Sequence, residues 1–251
     1  MTVVFVHGAP ETAAVWDPLV RELGTLRYSE VTRLSPPGFG ASLPADFGST
    51  AKDYREWLVR ELSEFDAPVD VVGHDWGGGH GMGVAMTHPE LLRSWATDII
   101  GAFEPGYVWH HDAQIWQTPG EGERNIREIF GATVADRAAR MTGWGIPGAR
   151  RQRSCSWPGR GDGSSDAHTL YRSTIQPALA DIGRELPAAA ARPGLVVLAT
   201  QDQSVGSDEA RRRGADRAGA RIETFEGLGH WWMLQDPKRA AGTLAKFWAS
   251  I

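Results

Sequence analysis

The pentapeptide Gly73-His74-Asp75-Trp76-Gly77 constrains this chain more tightly than any other stretch. An apolar run over 69–72 leads into it, and a helix of small residues follows to about His88. A side chain at the apex of such a strand-to-helix turn needs a strained backbone. The turn closes only if the residues two before and two after carry no bulky side chain. Its geometry lifts the central side chain out of the sheet, aims the helix N-terminus at it and offers the Trp76 amide as an oxyanion donor. The plainer explanation is a glycine-rich turn with an incidental acid. The flanking strand, both glycines and partners further along the chain argue against it.

Such a turn usually carries serine at its centre; here it carries Asp75. A carboxylate attacking an sp³ carbon forms an ester, which water can cleave at its carbonyl. A serine attacking the same carbon would form an ether, which goes no further. Aspartate therefore points to opening of an epoxide or displacement of a halide, and away from ester hydrolysis.

Strand and helix signals alternate around this turn. Residues 3–6 and 31–34 read as strands, with a helix over about 15–26 between them. Pro36, Pro37, Gly38 and Gly40 make a loop. Ser49 or Thr50 can cap a helix that sets Tyr54, Trp57, Leu58, Leu62 and Phe65 on one face. Another strand is expected over 94–100. From about 104 to 192 the alternation breaks down into helical patches around Gln114, 124–130 and 170–175. A Gly/Ser/Arg-rich segment over 148–165 reads as a mobile, solvated loop in preference to a phosphate site. The alternation resumes with a strand over 195–200, a helix from about Asp208, a strand over 221–225 and a last helix capped by Asp236 with Pro237 at its first position. The pattern predicts an α/β fold: a mostly parallel sheet of about six strands, helices on both faces, and an inserted helical cap. Residues 1–103 and 193–251 would form the core and 104–192 the cap.

Composition narrows the function. The 251 residues are 41% hydrophobic, enough for one core plus a small lid, and the net charge of −5 argues against nucleic-acid or anionic-membrane binding. Cys155 is the only cysteine, so no intrachain disulfide can form. The apolar start is too short for a signal peptide or a membrane span, so a soluble, cytoplasmic protein is expected. Eleven tryptophans suggest an apolar, aromatic-lined cavity. His110-His111-Asp112 lacks metal-ligand spacing, and no nucleotide-type glycine loop is present, so neither metal nor cofactor is expected.

Two groups downstream complete a catalytic set. A nucleophile at this kind of turn is followed in chain order by an acid and a histidine. Asp202, after the 195–200 strand, would orient and charge His230, which would deprotonate water. Asp98, at the end of the strand after the turn, is the alternative acid. The Ala9 amide, at the end of the first strand, would be the second oxyanion donor beside that of Trp76. Pro10 suits a cis bond.

Taken in order, His7-Gly8-Ala9-Pro10-Glu11, Gly38-Phe39-Gly40-Ala41-Ser42, Gly73-His74-Asp75-Trp76-Gly77-Gly78 and Gly229-His230-Trp231 resemble the epoxide hydrolase and haloalkane dehalogenase branch of the α/β-hydrolase superfamily. The resemblance covers nearly the whole chain, and only patches of the cap. It implies the α/β-hydrolase fold without its usual antiparallel N-terminal strand pair, since the first strand already carries His7-Gly8. Glu11 favours the epoxide hydrolases. Tyr171 resembles their cap tyrosine that donates to the epoxide oxygen. The second such tyrosine is expected where Trp116 stands; Tyr107 could replace it. Paired with Trp76, Trp116 could instead cradle a halide. Trp116, Tyr107 and Trp109 are expected to contact substrate. An epoxide hydrolase is the first expectation, a haloalkane dehalogenase using the same triad the second, and a non-catalytic ligand-binding protein of this fold the third. The partners implied are a small apolar epoxide or halide and water, in a monomer or homodimer.

Overall fold

A computed structural model describes residues 1–146 and 167–251. Its centre is a six-stranded, all-parallel sheet in the order β2-β1-β3-β4-β5-β6. The strands are β1 (Val3–Val6), β2 (Val31–Leu34), β3 (Val69–Gly73), β4 (Leu92–Thr97), β5 (Gly194–Ala199) and β6 (Arg221–Phe225). Four consecutive apolar residues make β1, and all four are buried, because β1 lies inside the sheet and both its faces are covered. Val3 and Phe5 join the cluster on one face and Val4 and Val6 the cluster on the other, the two-residue alternation of a strand.

Helices α1 (Asp17–Thr25) and α11 (Pro237–Trp248) cover the Phe5 face, where Trp16, Trp232 and Trp248 fill the core. Helices α2 (Ala51–Ser63), α3 (Trp76–Thr87) and α9 (Asp208–Arg217) cover the Val4 face. Thr50 caps α2 in a reciprocal box with Asp53, and Tyr54, Trp57, Leu58 and Leu62 are buried as the periodicity predicts. Asp236 caps α11, and Pro237 opens it.

Some boundaries differ from expectation. The fourth strand ends at Thr97, and Ile100 belongs to a 3-10 turn over Ile100–Phe103; apolar Ile99 and Ile100 had extended the strand on paper. Between β4 and β5 lie α4 (His111–Gln117), α5 (Glu121–Gly131), α6 (Val134–Gly143), α7 (Ala167–Arg172) and α8 (Ala178–Ile182), then a 3-10 stretch over Gly183–Ala191. The sequence reading anticipated α4, α5 and α7 and missed α6 and α8, as well as the short α10 (Trp232–Gln235). Arg172 ties three of these helices together: its guanidinium donates to both Glu123 oxygens on α5, at 2.7 and 2.9 Å, and to the Gln117 and Thr118 carbonyls that end α4. The expected loop over 148–165 and Cys155 lie outside the described residues. No described helix is long and apolar enough to cross a membrane.

The chain runs outward from β1 to β2, then returns to lay β3 on the other side of β1. The carboxyl ends of β1 and β3 therefore meet at the switch in strand order, where α/β sheets open a crevice. Close packing makes that meeting possible. A Cβ on Gly77 would collide with the Val6 carbonyl at the end of β1, and one on Gly73 would stand 2.5 Å from the Gly77 oxygen. Replacing Gly77 with alanine is expected to lower stability by about 3 kcal/mol, the upper range for overpacking. Denaturant unfolding would show it, and an unshifted midpoint would contradict the contact.

Candidate active site

Asp75 sits between β3 and α3 with φ 50° and ψ −128°, a left-handed backbone that few non-glycine residues adopt. The Asp75 N–H is not lost to strain, since it donates to Asp98 Oδ1 at 3.0 Å. The carboxylate points into the crevice. Its Oδ1 accepts from the Ala9 N–H at 3.0 Å, and the Trp76 N–H also bonds the carboxylate. A Cβ on Gly8 would collide with the Asp75 side chain, Oδ1 first, so glycine there makes room for the acid. The Ala9–Pro10 peptide is cis, as expected.

The other oxygen, Oδ2, lies 3.6 Å from His230 Nε2, and His230 Nδ1 lies 2.8 Å from Asp202 Oδ2. The expected order of Asp75, His230 and Asp202 is thus a row in space. Asp202 is held in turn by the Ser204 N–H at 2.8 Å on its Oδ1. Arg211, fully buried, bonds the Ala199 and Asp202 carbonyls and so closes the loop after β5. Burial works against charge on all three members, but the two carboxylates win at His230 and hold its pKa well above the usual value. Burial likewise raises Asp75 and Asp202, yet His230 outweighs it and holds both below the ordinary carboxylate range. At neutral pH the row reads carboxylate, imidazolium, carboxylate.

Asp98, the alternative acid, faces another histidine. Its Oδ2 lies 2.5 Å from His74 Nδ1 and accepts from the Trp232 indole N–H at 2.8 Å. On the other side His74 Nε2 stands 3.2 Å from Glu11 Oε1, within ion-pair range but off the hydrogen-bonding direction. The His74 and His230 rings lie 4.5 Å apart. Glu11, His74 and Asp98 form a buried layer directly behind the Asp75 row.

The cavity over Asp75 measures about 390 Å³. Tyr171 and Trp116 belong to its wall, with their rings 4.8 Å apart. Burial drives the Tyr171 pKa far up, and a bond from the Trp76 side chain draws it partly back. Two expectations do not hold as drawn. The Trp116 indole N–H is donated to Asn125 at 2.8 Å, so it is not free to pair with Trp76 around a halide. Tyr107 donates its hydroxyl to the Ser204 carbonyl at 2.7 Å, and neither it nor Trp109 lines this cavity. Trp109 instead packs behind, 5.6 Å from Trp76 and 5.4 Å from Tyr171. Nor is the wall simply apolar and aromatic: Asp112, Gln201, Gln203 and Gln235 line it beside Trp144 and Trp231.

His110 also lines the cavity. Its Nδ1 accepts from the Ala113 N–H at 3.3 Å, capping α4, which leaves the proton of the neutral ring on Nε2. Burial lowers its pKa and keeps it neutral. Sequence reading assigned His110 no role beyond excluding a metal site; its capping position, one residue before α4, is the signal that fixes its orientation. Among the described residues no cluster of three or more His, Cys, Asp or Glu could hold a metal.

The family model described as the alpha/beta hydrolase family matches residues 3–243. The chain belongs to that family. The solved structure of a serine hydrolase involved in carbazole degradation is similar to this α/β hydrolase at a TM-score of 0.71 and 18% identity, covering all of this chain and 92% of that one. A haloalkane dehalogenase from Bradyrhizobium elkani gives 0.70 at 19%, covering 100% and 91%. At such identities the likeness is one of fold. A curated relative, the (E)-2-((N-methylformamido)methylene)succinate hydrolase of Acinetobacter baylyi, is 27% identical over 94 residues. That match covers 37% of this chain and 35% of the relative, about a third of its length. Family and relatives together support hydrolase chemistry of the α/β-hydrolase type.

The buried layer has a pH signature. Burial lowers the His74 pKa, but Asp98 prevails and raises it to about 9. A raised histidine pKa stabilises the fold fully below about pH 6.5, the unfolded value, and that stabilisation is lost as pH rises through 9. Denaturant unfolding between pH 6.5 and 9.5 should show this decline. NMR of the labelled imidazole should place the His74 midpoint near 9 in the native protein and well below in Asp98→Asn. A midpoint near 6.5 in both would refute the charged pair.

Proposed function

We propose that this α/β hydrolase is an epoxide hydrolase working through an ester on Asp75. The observation that carries the reading is the set of proton donors in the cavity wall: Tyr171, and His110 with its proton on Nε2, while the Trp116 N–H is spent on Asn125. A strained ring opens when its oxygen receives a proton, and phenol and imidazole can give one where an indole cannot. His110 takes the place of the absent second tyrosine.

The steps follow from the geometry. With Oδ1 held by the Ala9 amide, Oδ2 is the attacking oxygen. As Oδ2 bonds the ring carbon, the carbon–oxygen bond breaks and the alkoxide takes the Tyr171 proton, assisted by the His110 N–H. Asp75 is now a neutral ester, and one of the two carboxylates that kept His230 protonated is gone. His230 returns its proton to the tyrosinate through water and becomes a base. It then deprotonates the water that attacks Asp75 Cγ. Charge gathers on Oδ1, where the Ala9 N–H already points. Collapse releases the diol, with the proton of the new hydroxyl leaving on the alcohol, and restores carboxylate and imidazolium. An epoxide supplies the base that discharges His230, whereas a departing halide does not. This charge balance supports the epoxide reading over a haloalkane. The segment between β4 and β5 serves as the cap that brings Tyr171 and His110 over Asp75. Its polar wall suits an epoxide that carries hydroxyl or amide groups.

Offered a panel of polar and apolar epoxides and bromoalkanes, the protein is expected to form vicinal diols, with activity lost in Asp75→Ala. Bromide release with the epoxides untouched would overturn the reading in favour of dehalogenation. His230→Ala should accumulate the ester, seen as substrate mass on the Asp75 peptide. Tyr171→Phe is expected to slow ring opening by about 10²–10⁴-fold, the usual worth of general acid catalysis. His110→Phe should cost less and leave ester hydrolysis unchanged in single-turnover experiments. A full rate in both variants would remove the donors from the mechanism.

A further inference from the structure

Asp98 takes no part in the reaction steps above, yet it is fully buried and accepts from three donors. Its Oδ1 takes the Asp75 N–H at 3.0 Å; its Oδ2 takes the His74 Nδ1–H at 2.5 Å and the Trp232 indole N–H at 2.8 Å. The first two donors belong to the turn that carries Asp75. The third opens α10, two residues after His230. One carboxylate at the end of β4 thus bonds both segments that have to meet in the site, although they lie far apart along the chain.

The approach of His230 to Asp75 needs such a tie. His230 Nε2 stands 3.6 Å from Asp75 Oδ2, longer than a hydrogen bond, so no bond between the two side chains sets their separation. Asp202 holds the other ring nitrogen at 2.8 Å, which orients the imidazole but leaves it able to swing about that contact. The gap matters in both halves of the reaction. Oδ2 has to stay unbonded to attack a ring carbon, and a water has later to fit between Nε2 and Asp75 Cγ.

Trp232 is built to carry the restraint. It is fully buried, with Trp16 and Phe225 edge-on to it at ring centroid distances of 6.2 and 5.6 Å, so the indole cannot turn away from Asp98. The position also requires an acid. A carboxylate offers about four acceptor sites and no donor, whereas an asparagine would set its NH₂ against one of the donors that Asp98 accepts.

We propose that Asp98 is a positioning residue that, through Trp232, fixes the spacing of His230 from Asp75. The kinetic consequence rests on the ester mechanism proposed for Asp75; the spacing itself does not.

Trp232→Phe tests it, since that change removes the indole N–H, keeps an aromatic ring in the core and leaves the bonds of Asp98 to the Asp75 turn in place. In single-turnover experiments ring opening should run near its native rate, while ester hydrolysis slows by about 10–100-fold, the cost of misplacing a reacting group by an ångström. A purely structural defect would instead reduce both steps alike by depleting folded enzyme. In crystal structures of the native protein and the variant, the distance from His230 Nε2 to Asp75 Oδ2 should differ by more than about 0.5 Å, the tolerance of a preorganised site. Asp98→Asn, with one oxygen in place of two, should slow ester hydrolysis at least as much. Native ester hydrolysis in either variant would overturn the proposal, and so would equal slowing of both steps in Trp232→Phe. If no epoxide of the panel alkylates the native protein, the epoxide reading fails and the crystallographic distance decides the positioning role. A spacing unchanged in Trp232→Phe would then overturn it.

Discussion

The close approach of β1 to the turn after β3 is the constraint on which the rest of this molecule depends. Asp75 occupies a backbone region that costs of order 1–3 kcal/mol for a residue with a side chain. That cost is tolerable because three glycines remove every alternative obstruction. Gly73 lets the turn fold on itself, Gly77 lets α3 start against the Val6 carbonyl, and Gly8 leaves a volume that the Asp75 carboxylate fills. One result is steric and the other electrostatic. The side chain stands clear of the sheet, and two backbone N–H groups from different strand ends bond its carboxylate.

Charge then divides the site into two layers. In front, His230 stands between Asp75 and Asp202; behind, His74 stands between Asp98 and Glu11. Each imidazole is kept protonated by carboxylates that overcome its burial. Burying unpaired ions costs several kcal/mol each, so such groups persist only as compensated sets. The front layer differs from the back in one respect: Asp75 faces a cavity and can lose its charge by forming a bond. In the proposed reaction the protonation of His230 follows the covalent state of Asp75, while that of His74 is tied to the fold.

Local signals made much of this legible. The β1 and β3 strands, the cap of α2 at Thr50 (one of the two residues offered for it) and the Asp236-Pro237 start of α11 each rest on residues adjacent in sequence, and each is found where it was expected. Helix α6 was legible too and went unread: Thr133 and Asp136 have the spacing of a cap, and the Thr133 side chain accepts the Asp136 N–H. The ends of β4 and of the 170–175 patch were misplaced because apolar residues continue past the last ladder bond or the last helical turn.

By itself the sequence determined the carboxylate at the turn, its glycines and the order of Asp75, Asp202 and His230, because backbone sterics and chain order are local properties. Tertiary structure alone decided which acid serves which histidine. The sequence favours Asp202 and leaves Asp98 open as the alternative, and only the sheet order β3-β4-β5 sends one to His74 and the other to His230. It also decided which donors face the cavity. Trp116 looked free until Asn125, one turn into the next helix, took its N–H, and His110 became a donor only when α4 claimed its other nitrogen. A hydrogen bond spent elsewhere leaves no trace in composition or spacing; it exists only once the partners have been brought together.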